Sequence, residues 1–151
     1  MSAVDSAAPR CAGTERYPRG VLVGLDVGST TIKAVVMAPD DGAVLWKDYR
    51  RHETLQLECC RDFLERIEAA FPDLPQYAFR IFATGSGAGA VAGRIGARTV
   101  QEVNAVALAA ERLYPDVRSV VELGGQDAKI IVFREDPATG RIKKIPSMND
   151  K

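Results

Sequence analysis

Several things are scarce in this sequence, and each absence closes a route. There is no Gly-x-x-x-x-Gly-Lys phosphate loop and no run of five or more basic residues, and 20 Lys and Arg balance 20 Asp and Glu. A neutral chain without a basic tract is a poor electrostatic trap for nucleic acid or any other polyanion. The longest apolar stretches are strand-sized, far short of the roughly 20 residues that cross a bilayer. The single histidine, His52, has no serine, cysteine or metal-type partner at a telling spacing, so its expected place is the surface after a third strand. Cysteines number three: Cys11 lies near the N-terminus, and Cys59 and Cys60 are adjacent within a helical pattern. Neither a zinc spacing nor a disulfide framework results, and free thiols in a reducing cytoplasm are expected. Residues 1–19 are polar and rich in small side chains, with Pro9, Pro18 and no apolar centre, which reads as a loose tail and not a secretion signal.

What remains is a chain of 151 residues, 46% hydrophobic, enough for one or two small domains. Its most informative feature is a repeated design. Gly24-Leu25-Asp26-Val27-Gly28-Ser29-Thr30-Thr31-Ile32-Lys33 and Val121-Glu122-Leu123-Gly124-Gly125-Gln126-Asp127-Ala128-Lys129 each run apolar strand, acid, glycine turn, second strand, lysine. Glycine lets the main chain approach a ligand closely, and successive N–H groups with the Ser29, Thr30 and Thr31 hydroxyls supply donors for an anion. Lys33 adds positive charge, and Asp26 at a strand end suits a magnesium ion held through its water shell. In the second copy Gly124 and Gly125 form the turn, Glu122 and Asp127 are the acids, and Gln126 is a neutral group able to orient water. One such turn by itself reads equally well as an ordinary hairpin; two with matching acids and lysines point to a divided phosphate site.

The apolar periodicity predicts strands near 21–26, 31–38 and 43–50, the last two parted by Pro39-Asp40-Asp41-Gly42. A helix over 54–71 carries Leu57, Phe63, Leu64, Ile67 and Phe71 at helical spacing and ends at Pro72. A strand over 77–84, a helix over 100–114 and strands over 117–123, 128–134 and 141–146 follow. The fold class is α/β: a three-strand meander, helix, strand and helix, then a second set of strands that opens like the first. The predicted division is a tail at 1–19, a first lobe at 20–116 and the opening of a second lobe at 117–151. The second sheet has no helix after it to cover its apolar face, so the chain is expected to be a piece of a longer protein or to be completed by a partner. Gly87-Ala88-Gly89-Ala90-Val91-Ala92 meets a loose dinucleotide pattern, but no strand and acid follow at the required distance.

The strand order and the two glycine turns resemble the ribonuclease H-like nucleotide-binding core of actin, hexokinase, heat-shock chaperone ATPases and sugar kinases. Thr84-Gly85-Ser86-Gly87, Glu102-Val103-Asn104-Ala105, the Gly124-Gly125-Gln126-Asp127 turn and the ending Ser147-Met148-Asn149-Asp150-Lys151 narrow the resemblance. Together they look like the ATPase activators of 2-hydroxyacyl-CoA dehydratases and benzoyl-CoA reductases, over roughly residues 20–151. The resemblance implies Mg-ATP between two lobes, with Asp26, Gly28, Ser29, Thr30, Thr31 and Lys33 in the first phosphate loop and Gly124, Gly125, Gln126 and Asp127 in the second. It further implies ATP-driven, low-potential electron transfer from a 4Fe-4S cluster shared by a homodimer to a CoA-ester dehydratase or reductase, in anaerobic metabolism. In the family pattern the cluster cysteine comes directly after the Met-Asn-Asp-Lys segment, so none of the three thiols present carries over as a ligand. The 151 residues alone are expected to hydrolyse ATP weakly or not at all.

Within that site, Glu122 or Asp127 positions the attacking water, Glu122 being preferred, and Gln126 orients the water or meets the γ-phosphate. Lys129 is expected to be a solvated strand-end lysine. Glu102 and Asn104 are expected to cap the second helix and connect the lobes. Two other readings stay open: a sugar or carboxylic acid kinase of the same superfamily, and a non-catalytic nucleotide-binding module.

Overall fold

A computed structural model describes residues 16–123, 128–135 and 142–148. The first unit runs β1 (Val21–Val27), β2 (Thr31–Met37), β3 (Val44–Arg51), α1 (Gln56–Ala70), a 3-10 turn (Gln76–Ala78), β4 (Phe79–Thr84), α2 (Ala88–Ile95) and β5 (Arg98–Thr99). Then come α3 (Glu102–Leu113), β6 (Ser119–Leu123), β7 (Ala128–Glu135) and β8 (Ile142–Met148). The strands make two sheets, of order β3-β2-β1-β4-β5 and β6-β7-β8. The pairs β1–β2 and β2–β3 are antiparallel, whereas β1–β4 and β4–β5 are parallel; the second sheet is wholly antiparallel. Both sheets therefore open with the meander that the repeated sequence design predicts.

Alternation along β1 explains where the core sits. Val21, Val23, Leu25 and Val27 are buried, as are Ile32, Ala34 and Val36 of β2 on the same face. A strand exposes successive side chains on opposite faces, so Gly24 and Asp26 share the other face with Lys33 and Val35. Helix α1 covers the first face with Cys59, Cys60, Phe63 and Ile67, and α2 adds Ala88, Val91 and Ala92. Each fully buried Val, Leu, Ile or Phe here contributes about 1.5–3 kcal/mol of transfer free energy.

Helix α3 belongs to the second sheet. Ala107 and Ala110 close on Ile131 and Phe133 of β7, with Val103, Val106, Val117 and Val120 around them. Its other side, with Ala105, Leu108 and Ala109, looks across an open cleft of about 610 Å³ at Gly24, Asp26, Lys33 and Thr84. The second sheet leaves Val121, Leu123 and Ile130 exposed, the uncovered apolar face that the strand order implies. Among the described residues, no helix is long and apolar enough to cross a membrane.

The structure departs from the sequence reading in a few elements. Helix α2 and strand β5 were not anticipated: α2 is built of Ala and Gly with two valine-class anchors, and β5 is two residues long, too short for any period. The expected 54–71 helix starts at Gln56, because Glu53 and Thr54 have φ of 47° and 72° and cannot be its first turn. Leu57 faces outward at 39% exposure, off the apolar stripe. The 3-10 turn takes the opening of the expected strand at 77, so β4 begins at Phe79.

Candidate functional site

The first glycine turn closes β1 onto β2. Asp26 pairs in register with Lys33 and Val27 with Ile32, and the Gly28 N–H donates to the Thr31 carbonyl at 2.9 Å. The Gly28 carbonyl is turned into the protein, where it accepts from Gln56 Nε2 at 3.1 Å and lies 3.2 Å from His52 Nε2. All peptides described are trans, so the Ser29 N–H of that same planar unit points the opposite way, out of the fold. The hydroxyls of Ser29, Thr30 and Thr31 have no hydrogen-bond partner among the described residues. An outward N–H beside three part-exposed or exposed hydroxyls is an anion cradle in form.

Asp26 accepts from Lys33 Nζ at 2.7 Å, and both side chains are part-exposed at the cleft. Its other oxygen lies against the loop after β4. Asp26 pairs with Thr84, and Gly85 follows at φ +92°, where a Cβ would meet the Val27 carbonyl at 2.5 Å and Asp26 Oδ1 at 2.7 Å. Only glycine permits both that dihedral and that approach. The Gly87 N–H then donates to the Val27 carbonyl at 2.8 Å, binding the second loop to the end of β1. The Thr84 hydroxyl is enclosed and has no hydrogen-bond partner among the described residues.

The acid of the second unit lies on the second sheet, against the start of α3. Glu122 on β6 pairs with Lys129 on β7, whose ammonium lies 3.9 Å from Glu122 Oε2 and donates to Glu102 Oε2 at 3.0 Å. Burial pushes the Glu122 carboxyl above the ordinary range; the Glu102 charge and a hydrogen bond to Glu102 add to this, Asp26 adds a little, and Lys129 offsets part of it. Glu122 Oε2 is enclosed and has no hydrogen-bond donor among the described residues, so it can take a proton or accept a water hydrogen.

The structure brings together Asp26, Gly28, Ser29, Thr30, Thr31 and Lys33 at the first turn, and sets Glu122 with Glu102 and Lys129 at the start of α3. Gly124, Gly125, Gln126 and Asp127 lie outside the described residues. Three expectations need correction. Lys129 is not solvated: it is 9% exposed, held between two carboxylates. Glu102 ties α3 to the second sheet through Lys129 and does not cap the helix, whose N-cap Gln101 makes no side-chain cap bond. His52 is not at the surface: it is 7% exposed and sits behind the Gly28 turn, because β3 ends beside that turn and the chain folds back. Gln56, at the same carbonyl, was missed as well. The one signal for this pair was the four-residue interval from a strand-end histidine to a helix-start glutamine.

Among relatives, the chain is 30% identical over 129 residues to the (R)-2-hydroxyglutaryl-CoA dehydratase activating ATPase of Acidaminococcus fermentans, covering 85% of this chain and 46% of that protein. The crystal structure of component A of the Acidaminococcus fermentans (R)-2-hydroxyglutaryl-CoA dehydratase superposes with a TM-score of 0.69 at 27% identity, over 87% of this chain and 48% of that one. The activator of the 2-hydroxyisocaproyl-CoA dehydratase from Clostridium difficile, solved with bound ADPNP, gives 0.59 at 20% identity, over 85% and 46%. The chain spans about half the length of the relatives it matches. The fold is that of the actin-like ATPases. With residues 23–144 matching its pattern, the chain belongs to the BadF/BadG/BcrA/BcrD ATPase family.

Proposed function

We propose that this chain supplies the ATP-binding and hydrolysing part of an activator that couples ATP hydrolysis to low-potential electron transfer into a CoA-ester dehydratase or reductase. The observation that carries the reading is the Gly28 turn, which directs the Ser29 N–H outward beside the Asp26–Lys33 pair at the cleft. Family membership and the dehydratase activators among its relatives support the activity and the class of partner. The ADPNP in the Clostridium difficile activator supports the ligand.

The chemistry follows from the parts. The turn at Gly28 offers the Ser29 N–H and the hydroxyls of Ser29, Thr30 and Thr31 to the phosphates, while Lys33 adds a cation at its edge. Asp26, a part-exposed carboxylate with one oxygen engaged by Lys33, fits a magnesium ion that is otherwise coordinated by phosphate and water. Such an ion, when bound, would neutralise charge on the phosphate oxygens. Glu122 accepts a hydrogen bond from the attacking water and orients it, because phosphoryl transfer depends on positioning and charge stabilisation more than on covalent chemistry. The family resemblance assigns Gln126 and Asp127, with Gly124 and Gly125, to the second phosphate loop. The thiols described here do not fit an iron–sulfur cluster: Cys59 and Cys60 are buried under the first sheet and burial pushes Cys60 up to about 11, away from the thiolate a cluster needs.

The test uses the full-length protein. Asp26→Ala and Gly125→Val should weaken Mg-ATP binding in calorimetry. Glu122→Gln should leave binding in place and lower the hydrolysis rate by about 10²–10⁴, the usual contribution of a positioned acid–base group. Unchanged affinity in the first two variants overturns the site.

A further inference from the structure

Behind the Gly28 turn lies a device that the phosphate-binding role alone does not require. After β3 the chain makes a tight reversal in which the Leu55 N–H donates to the His52 carbonyl at 2.7 Å, with φ of +47° at Glu53 and +72° at Thr54. Two successive positive φ angles under such a bond are those of a type I′ turn, which ordinarily takes Asn and Gly. Glutamate and a β-branched threonine are held there against their preference, and outliers of this kind persist where the surroundings over-determine them.

What the strained turn achieves is visible in its hydrogen bonds. The Thr54 N–H donates to His52 Nδ1 at 3.1 Å, which leaves the ring proton on Nε2, and Nε2 then donates to the Gly28 carbonyl at 3.2 Å. Helix α1 starts two residues later, so Gln56 in its first turn donates to the same carbonyl at 3.1 Å. The His52 N–H reaches the Thr30 carbonyl at 3.3 Å, fastening the far side of the loop.

We propose that His52 and Gln56 are positioning residues: together they clamp the Gly28 carbonyl inward, and so fix the Ser29 N–H and its neighbours outward in the conformation that receives phosphate. The inference rests on reading the turn as a phosphate cradle. The clamp sets how well the loop is preorganised, so its loss falls on ligands that carry phosphates and not on the nucleoside portion.

Four variants of the full-length protein test this: His52→Ala, His52→Gln, Gln56→Leu and Gln56→Glu. Mg-ATP and adenosine are titrated against each, and amide hydrogen exchange of residues 28–31 is followed without nucleotide. His52→Ala and Gln56→Leu should each weaken Mg-ATP by about tenfold, the worth of one well-made hydrogen bond, and leave adenosine unchanged. Gln56→Glu, which sets a carboxylate against the carbonyl, should do more harm, and His52→Gln, which restores a donor, less. Exchange at 28–31 should quicken in the two deletion variants while that of β1 residues 21–25 stays as in the parent. Equal losses for ATP and adenosine, or unaltered exchange at the turn, overturn the clamp. A parent protein that binds no Mg-ATP overturns the functional reading instead, and the exchange comparison still decides the clamp.

Discussion

Single residues set the limits of this site, and two of them make sharp predictions. Gly85 is fixed by φ and by space at once, with the Val27 carbonyl and Asp26 Oδ1 both inside 3 Å of any Cβ. Gly85→Ala should cost about 1–3 kcal/mol by chemical denaturation, the usual range for forcing a side chain into such a dihedral or an overpacked place. It should also weaken Mg-ATP binding, since one of the atoms crowded is an oxygen of the magnesium candidate. Glu122 makes a prediction in pH. Its carboxyl is raised above 4.5 by burial, then by Glu102. A group whose folded value lies above its unfolded value adds stability at low pH, and loses it as pH rises through the folded value. The nucleotide-free protein should therefore lose stability from this group as pH climbs from about 4.5 toward neutrality. Glu122→Gln should flatten that part of the profile and be the more stable protein at pH 7, even though it hydrolyses ATP more slowly. Thermal melts across pH for the two proteins check the sign; a steeper decline in the variant would refute it.

At the scale of elements, the connection between β3 and α1 stores strain that can be released without touching the site. Replacing Glu53 and Thr54 by Asn and Gly supplies the residues a type I′ turn prefers. The double variant should gain about 1–2 kcal/mol, since a left-handed residue without that preference costs about this much, and should melt a few degrees higher. The same element shows what a sequence can and cannot disclose. Strands β1 and β2 were legible because each is a short apolar run rich in branched residues on either side of a glycine turn; α1 was legible from Phe63, Ile67 and Phe71. The strained turn was not, since nothing about Glu53 or Thr54 favours positive φ and the conformation is imposed by what the flanking elements bind. Asp26, the glycine turn and Lys33 could be picked out locally because they act within ten residues of one another. His52, Gln56 and Lys129 could not, because their partners at Gly28, Glu102 and Glu122 come from other elements and are joined only by the sheet register and the placement of α3.

In the molecule as a whole, α3 is the joint between the sheets, and each of its ends is tied to a different body. At the N-terminal end Glu102 takes the Lys129 ammonium of β7. At the C-terminal end Arg112 Nη2 donates to the Asp41 carbonyl of the β2–β3 turn at 3.0 Å. That turn needs Gly42 at φ +72°, where a Cβ would stand 2.1 Å from the guanidinium. Between the two ties the helix packs on Ile131 and Phe133 and faces the first sheet only across the cleft. Breaking the Arg112 contact removes one exposed charge-assisted bond, about 1–2 kcal/mol at most, and leaves both cores intact. Its effect should therefore be on cleft width and not on folding. Arg112→Ala is expected to keep the melting temperature within a few degrees of the parent, to speed amide exchange in α3 while β1 and β2 stay protected, and to weaken Mg-ATP a few-fold. Gly42→Ala should reproduce the exchange change by pushing the guanidinium away, at a greater loss of stability because its dihedral is strained as well. If α3 exchanges at the parent rate in both variants, the second sheet alone holds the helix, and the joint has one tie instead of two.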